Sequence, residues 1–455
     1  MMTEGSVTKN ILFFALPLML SSILQLLYNA ADVIIVGKFA EDGLTSLAAV
    51  SSTNSLITLI TNVAIGLSVG VNVLIARHVG AKNTARADRA LHTAATVAIV
   101  SGIFTCIVGF LICGKALEWM GTPDDVIEKS TLYLRIYFLG SPALIIYNFG
   151  SASLRSAGDT TRPLIFLTIS GLVNVAFNLL FVMVFHMDVA GVATATIISQ
   201  YISATLVVWA LKKGQGCLIL DFKKICFDKR EFKDIVVLGI PAAIQSSCFS
   251  ISNVAIQSGV NSFKNAAVNA GSGAAGSIEG FVYVVMNAFY HAALTFTSQN
   301  IGARKPRRIP KIIFSSCFLS TMFWLICVAI IFTIPETLLG FYTDDPDAIK
   351  IGVERFNYVA LPYILCGIME ISTGVLRGSG HSISAMIISI VGVCGIRIAW
   401  IYTVFQVYHS FGMLYLCYTV SWAPVIVANF IAFYFIYKKN LKPLELPDEQ
   451  AVSVK

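Results

Sequence analysis

The sequence predicts an all-α integral membrane protein. Twelve transmembrane helices are expected, in two copies of six related by a pseudo-two-fold axis along the membrane normal. Three observations predict this. First, 56% of the 455 residues are hydrophobic and 13% charged, with mean hydropathy +0.77; a soluble globular chain carries about 25% charged residues. Second, the apolar residues form continuous runs of the length a helix needs to cross a bilayer. Continuous rather than alternating runs exclude a transmembrane β-barrel. Third, the chain repeats itself.

The spans fall roughly at 10–36, 47–76, 89–113, 130–154, 164–185 and 190–211, then at 232–260, 267–297, 312–334, 351–376, 384–405 and 412–437. The repeat runs at an offset of 222 to 224: Pro17 matches Pro241, Gly80 and Ala81 match Gly302 and Ala303, Asp125 and Ile127 match Asp347 and Ile349, and Leu154, Arg155 and Gly158 match Leu376, Arg377 and Gly380. Six spans is an even number, so both copies enter the membrane in the same sense, as in parallel-repeat transporters. Residues 1–211 are the N-terminal half and 232–437 the C-terminal half; 212–231 form a basic linker and 438–455 a tail. Repeated halves place a substrate path at the midplane between them, which favours a transporter over a channel or an enzyme.

With the N-terminus placed in the cytoplasm, 24 of the 32 Lys and Arg lie on the inner side and seven on the outer, with Arg397 inside a span. This bias sets both termini in the cytoplasm of a multi-pass cell-membrane protein. It also accounts for the net charge of +7 without nucleic acid. The linker run from Lys212 to Lys233 reads first as a solvated positive-inside loop and second as a contact for lipid headgroups. MMTEGSVTK has no cleavage-site pattern, so no signal peptide is expected. The ten Cys show no CxxC pair and most lie in apolar runs, which argues against a disulfide framework or zinc site.

Buried polar groups carry the chemistry. Asp32 interrupts the first run, ILFFALPLMLSSILQLLYNAADVIIV, and Gln25, Asn29 and Asp32 share one helical face at i, i+4, i+7. A carboxylate there costs at least about 2.5–3.5 kcal/mol and marks an ion or proton path unless it reaches interfacial water. Asn174 and Asn178, i and i+4 on the fifth span, either complete a polar pocket with Asp32 or serve as interhelical glue. Gln245, Asn253 and Gln257 lie close to one stripe of the seventh span. At the repeat offset Asn29 maps to Asn253 but Asp32 maps to Ile256, so cation coupling is expected mainly in the N-terminal half. Glu279 in the eighth span, Glu370 in the tenth and Arg397 in the eleventh are candidates for substrate binding. Glu370 and Arg397 read equally well as a structural pair. GSGAAG at Gly271–Gly276 fits a dinucleotide pattern but follows no strand, and GFLICGKA at Gly109–Ala116 lacks the Ser or Thr a phosphate loop needs. Energy is therefore expected from an ion gradient, with no cofactor.

LYNAADVIIVGKF, IGLSVGVNVLIARHVGAK, LRSAGDTTRP, SIEGF, TSQNIGARK and EISTGVLRGSG resemble, in order and over nearly the whole chain, the multidrug and toxic compound extrusion (MATE) transporters, closest to their bacterial DinF-like branch. The resemblance implies two six-helix bundles forming a V around a central cavity. It implies monomers that export small amphipathic or cationic organic compounds in exchange for H⁺ or Na⁺, with Asp32 the key coupling residue. The family often has a second acid on the fifth helix; here that position is Asn178. An Asn offers Na⁺ an oxygen, with Asp32, but cannot carry a proton. One Arg against three acids within the spans reads as favouring cationic cargo. The alternatives are a lipid-linked oligosaccharide flippase of the same superfamily, which wants a more cationic cavity, and an integral membrane enzyme, which wants paired acids or a His cluster.

Overall fold

The protein is described by a computed structural model covering residues 2–39, 43–214 and 218–444. Among the described residues all regular structure is helical, with twelve main segments besides the short helix Pro335–Gly340 and a few single turns. These are α1 (Val7–Phe39), α2 (Gly43–Gly80), α3 (Thr84–Trp119), α4 (Asp124–Leu139 and Ser141–Ser156), α5 (Thr161–Leu179, prolonged by the π-turn Leu180–Val184) and α6 (Asp188–Lys212). The second six are α7 (Lys229–Asn261), α8 (Ala266–Gly302), α9 (Ile309–Thr333), α10 (Pro346–Tyr358 and Tyr363–Gly378), α11 (Ser382–Ser389, the π-turn Ile390–Gly395, then Ile396–Tyr402 and Val404–Val407) and α12 (Phe411–Ile436). Nine of these are long and apolar enough to cross a membrane, and the bent α10 makes a tenth. Phe13, Phe104, Leu111, Ile251, Phe314 and Val391 are exposed on the helix surfaces, as lipid-facing side chains are.

Two expected spans are broken rather than straight. The predicted 130–154 stops at Gly140 and restarts with Pro142 near the start of the second piece. The predicted 351–376 bends by 50° ahead of Pro362 and Tyr363. Proline removes a donor and restricts the residue before it, so a helix ends there at little cost.

The repeat is visible in backbone detail. Gly158 (φ +99°) and Gly380 (φ +92°) hold the same left-handed turn, each donating its N–H to the carbonyl of Arg155 or Arg377. Lys82 and Arg304, 222 residues apart, both sit at φ +55°. Behind each, an N–H closes six-residue rings onto His78 O and Asn300 O (3.0 and 2.8 Å), the 6→1 bond that terminates a helix.

The helices form two compact units. The N-unit holds Leu20–Val79 and Asn83–Ala243; the C-unit holds Met1–Met19, Gly80–Lys82 and the chain from Ile244 onward. The changeovers lie three residues after Pro17 and Pro241, so each unit takes the opening part of a helix from the other half of the sequence. In the N-unit, Gly66 and Gly70 of α2 face Gly239 and Ala243 of α7; a Cβ on Gly66 would run into the Ala243 backbone, and one on Gly70 would lie 2.8 Å from the Gly239 nitrogen. Small residues four apart allow close helix contact where no water drives association. His78 and Glu231, both buried, join the same two helices at 3.1 Å. In the C-unit, the start of α1 lies along α8 and α9: Phe14 meets Phe296 edge-on, Thr8 Oγ1 shares a 2.8 Å hydrogen bond with Ser315 Oγ, and Asn300 donates to Met2 O.

Gly66→Val should force α2 and α7 apart and lower stability in detergent by about 2–3 kcal/mol. Thermal unfolding followed by circular dichroism measures this; an unchanged midpoint would show that the contact is not tight.

Candidate functional site

The first constellation belongs to the N-unit. α1 and α5 approach closely because Gly171 has no side chain: a Cβ there would overlap the ring of Tyr28. Tyr28 and Asp32 are one turn apart on α1, and Gly171, Asn174 and Asn178 follow one face of α5. The close approach therefore delivers Asp32 to Asn178. Asn178 Nδ2 donates to Asp32 Oδ1 at 2.5 Å and to Asn174 Oδ1 at 3.2 Å. Asn174 in turn donates to Thr196 Oγ1 on α6 at 3.4 Å. Both Asn are buried and Asp32 is half-buried. Among the described residues no basic side chain pairs with Asp32. Asn178 Oδ1 is buried with no hydrogen-bond partner. An orphaned carbonyl oxygen beside a carboxylate is the donor set that Na⁺ takes. The π-turn Leu180–Val184 begins two residues after Asn178, and such turns recur at functional sites.

Gln25 and Asn29 share the α1 face with Asp32 and are exposed. The structure gives the carboxylate its company from α5, not from Asn29. Thr196 extends the network and had no signal in the sequence beyond lying in the next span.

The second constellation lies in the C-unit. Glu279, expected to meet substrate, instead forms a two-pronged pair with Arg355: Nε donates to Oε1 at 3.0 Å and Nη2 to Oε2 at 2.7 Å. Arg355 also donates to Ser272 O at 2.9 Å and Tyr415 Oη at 3.2 Å, with its guanidinium 4.6 Å over the Tyr415 ring. Arg355 is one of the seven basic residues counted above on the outer side, although it lies within the span predicted at 351–376. The signal against that was available: Ala348, Gly352 and Phe356 are the buried face of their helix, and Arg355 adjoins it.

Arg397 does not pair with Glu370. Its Nε donates to Ser421 Oγ at 3.1 Å and its Nη1 to Asn253 Oδ1 at 3.4 Å, and it lies 4.3 Å over the Tyr418 ring. Asn253 is otherwise exposed. Arg377, counted above with the inner turns, is 5% exposed and donates to Tyr290 Oη and, at 2.7 Å, to Gln245 Oε1. Glu370 is 7% exposed. The charge count within the spans is thus corrected. Arg377 and Arg397 are buried in the C-unit, as are Glu279 and Glu370, and Arg355 is half-buried against Glu279, so a balance of one Arg against three acids does not hold.

This is a polytopic helical fold with a repeated half and paired charges inside the spans, the class of a membrane transporter. The MatE family profile matches residues 17–180 and 241–403, once in each half. The chain belongs to the MatE family of transporters, and is not an enzyme. A relative, the probable multidrug resistance protein YoeA of Bacillus subtilis (strain 168), is 26% identical over 449 residues, 96% of each chain. Solved structures share the fold. An outward-facing multidrug resistance MATE family transporter of the MOP superfamily superposes with a TM-score of 0.88 at 20% identity, over 97% of this chain and 98% of that one. A MOP superfamily transporter from Pyrococcus furiosus, described as having a binding pocket of reversed polarity that suggests a different function, gives 0.88 at 20% identity over 98% of each.

Arg355→Leu should destabilise the protein by about 3–5 kcal/mol, because it strands a buried carboxylate. Arg355→Leu with Glu279→Leu should recover most of that loss. A double-mutant cycle on thermal stability in detergent checks the pair; additive effects would remove it.

Proposed function

We propose that the protein is a multidrug exporter that exchanges small amphipathic organic compounds for H⁺ or Na⁺ by alternating access in the cell membrane. The observation that carries this is the Asp32–Asn178–Asn174 chain, a lone carboxylate facing an amide at the junction of α1 and α5. Membership of the MatE family and likeness to YoeA, a probable multidrug resistance protein, support the export reading.

The amide makes the carboxylate's state legible to α5. Ionised Asp32 accepts from Asn178 Nδ2. A proton on Asp32 turns that oxygen into a donor, which suits the Asn178 carbonyl instead of its NH₂. Na⁺ needs the same reversal, since it too binds the carbonyl oxygen. Either ion thus rearranges the hydrogen bonds running to Asn174 and Thr196, immediately before the π-turn. Ion and cargo then bias one two-state equilibrium in opposite senses.

The cargo's charge has two readings. A cationic cargo suits the acids Asp32 and Glu370. An anionic cargo is favoured by Arg377 and Arg397, which donate to the neutral side chains of Tyr290, Gln245, Ser421 and Asn253. Substrate competition with cationic and anionic dyes separates the two.

Asp32→Asn should abolish gradient-driven efflux while the protein still inserts, and Asn178→Leu should reduce it more than tenfold. Dye transport in proteoliposomes under separate Na⁺ and pH gradients measures both and names the ion. Undiminished efflux by Asp32→Asn removes this site from the mechanism.

A further inference from the structure

Residues 218–228, which lead into α7, lie against α3. Asp221 N–H donates to His92 Nε2 at 3.1 Å, Thr96 Oγ1 donates to Cys226 O at 3.1 Å, and Asp228 N–H donates to Thr93 Oγ1 at 3.2 Å. Leu220 N–H adds a 3.0 Å bond to Leu211 O, and Leu218 and Leu220 are buried. The segment is therefore a pinned strap. Yet Ile219, Phe222, Ile225 and Phe227 stand exposed on it, at 42, 52, 37 and 51%. Four such side chains within nine residues, held open by the backbone pins, suit an apolar medium rather than water.

Two hollows meet at Phe222. One is a cup of ≈ 650 Å³ lined by Lys212, Lys223 and Lys224. Two acids share the cup: Asp221 Oδ1 accepts the Lys223 N–H and Asp88 lies 3.4 Å from His92, so three lysines against two carboxylates leave it net positive. Lys212 Nζ sits 5.9 Å over the Phe222 ring, at the lip. The other hollow is an apolar slot between α3, α4, α6 and the strap, lined by residues such as Leu91, Ala95, Ile99, Phe149 and Ile225. Leu220 and Phe222 line both. A basic cup continuous with a greasy slot matches one chemistry, an anionic headgroup joined to a hydrocarbon chain.

We propose that the strap holds an anionic glycerophospholipid, its phosphate among Lys212, Lys223 and Lys224 and the headgroup-proximal part of one acyl chain in the slot beneath Phe222, which at ≈ 130 Å³ takes only the first few methylenes. The site lies within the N-unit and does not depend on Asp32 or on the export reading. Ala95 faces the slot, so a larger side chain there competes with the chain while leaving the lysines in place.

Native mass spectrometry of the full chain in detergent tests this, with phosphatidylglycerol, phosphatidylcholine, glycerophosphoglycerol and inorganic phosphate as probes. Phosphatidylglycerol should be retained at one equivalent, about tenfold better than phosphatidylcholine. Lys223→Gln with Lys224→Gln, both exposed and so leaving the melting temperature unchanged, should erase that preference. Ala95→Phe should weaken retention of both lipids. Equal retention of the two lipids, or a double variant that matches the parent, overturns the proposal. Glycerophosphoglycerol or phosphate binding as well as the whole lipid also overturns it, in favour of a soluble-anion site.

Discussion

A charge inside a membrane must be matched where it lies, because no water can reach it without cost. That constraint shapes this molecule. Glu279 is matched by the fork of Arg355, Glu231 by His78, and Asp32 only by the amide of Asn178. The first is two-pronged and further tied to Tyr415 and Ser272. Such a pair resists change. The last has a neutral partner and an idle oxygen beside it, so neutralising Asp32 does not strand an opposing charge. The same physics that makes the Glu279 pair a brace leaves Asp32 free to respond.

The repeat explains why the two halves can be alike in frame and different in chemistry. The helix-ending turns at Lys82 and Arg304, and at Gly158 and Gly380, are copies to within a few degrees. Turn geometry is set by the backbone and survives divergence of the side chains. Polar content does not: the N-unit holds Asp32 with no basic partner among the described residues, and the C-unit holds the buried Arg377 and Arg397 and the half-buried Arg355.

Most of the frame was legible because it rests on local signals. Apolar runs gave the twelve segments, and the paired prolines, glycines and Leu-Arg motifs gave the repeat. The link from Asp32 to Asn178 was also readable, since Asn174 and Asn178 share a helical face on the fifth span. What escaped depended on the third dimension. Nothing in the spacing of Arg355 or Arg377 said which acid or phenol they would meet. The residues credited to unbroken spans at Gly140 and Pro362 form breaks instead, where the apolar count outvoted the turn residues. Of the two readings of Glu370 and Arg397, the structural pair does not form, because Ser421 and the rings of Tyr418 and Trp422 claim the guanidinium.

The exchange of helix beginnings at Pro17 and Pro241 has a consequence for biogenesis. The residues up to Met19 are synthesised well before α8 and α9, the helices they rest on. Until then their polar ends, Thr8 among them, lack their native neighbours. The N-unit waits in turn for the opening residues of α7 to cover Gly66 and Gly70. Neither half of the gene therefore encodes a self-sufficient folding unit, and a break in the linker would sever two polypeptides that still need pieces of each other.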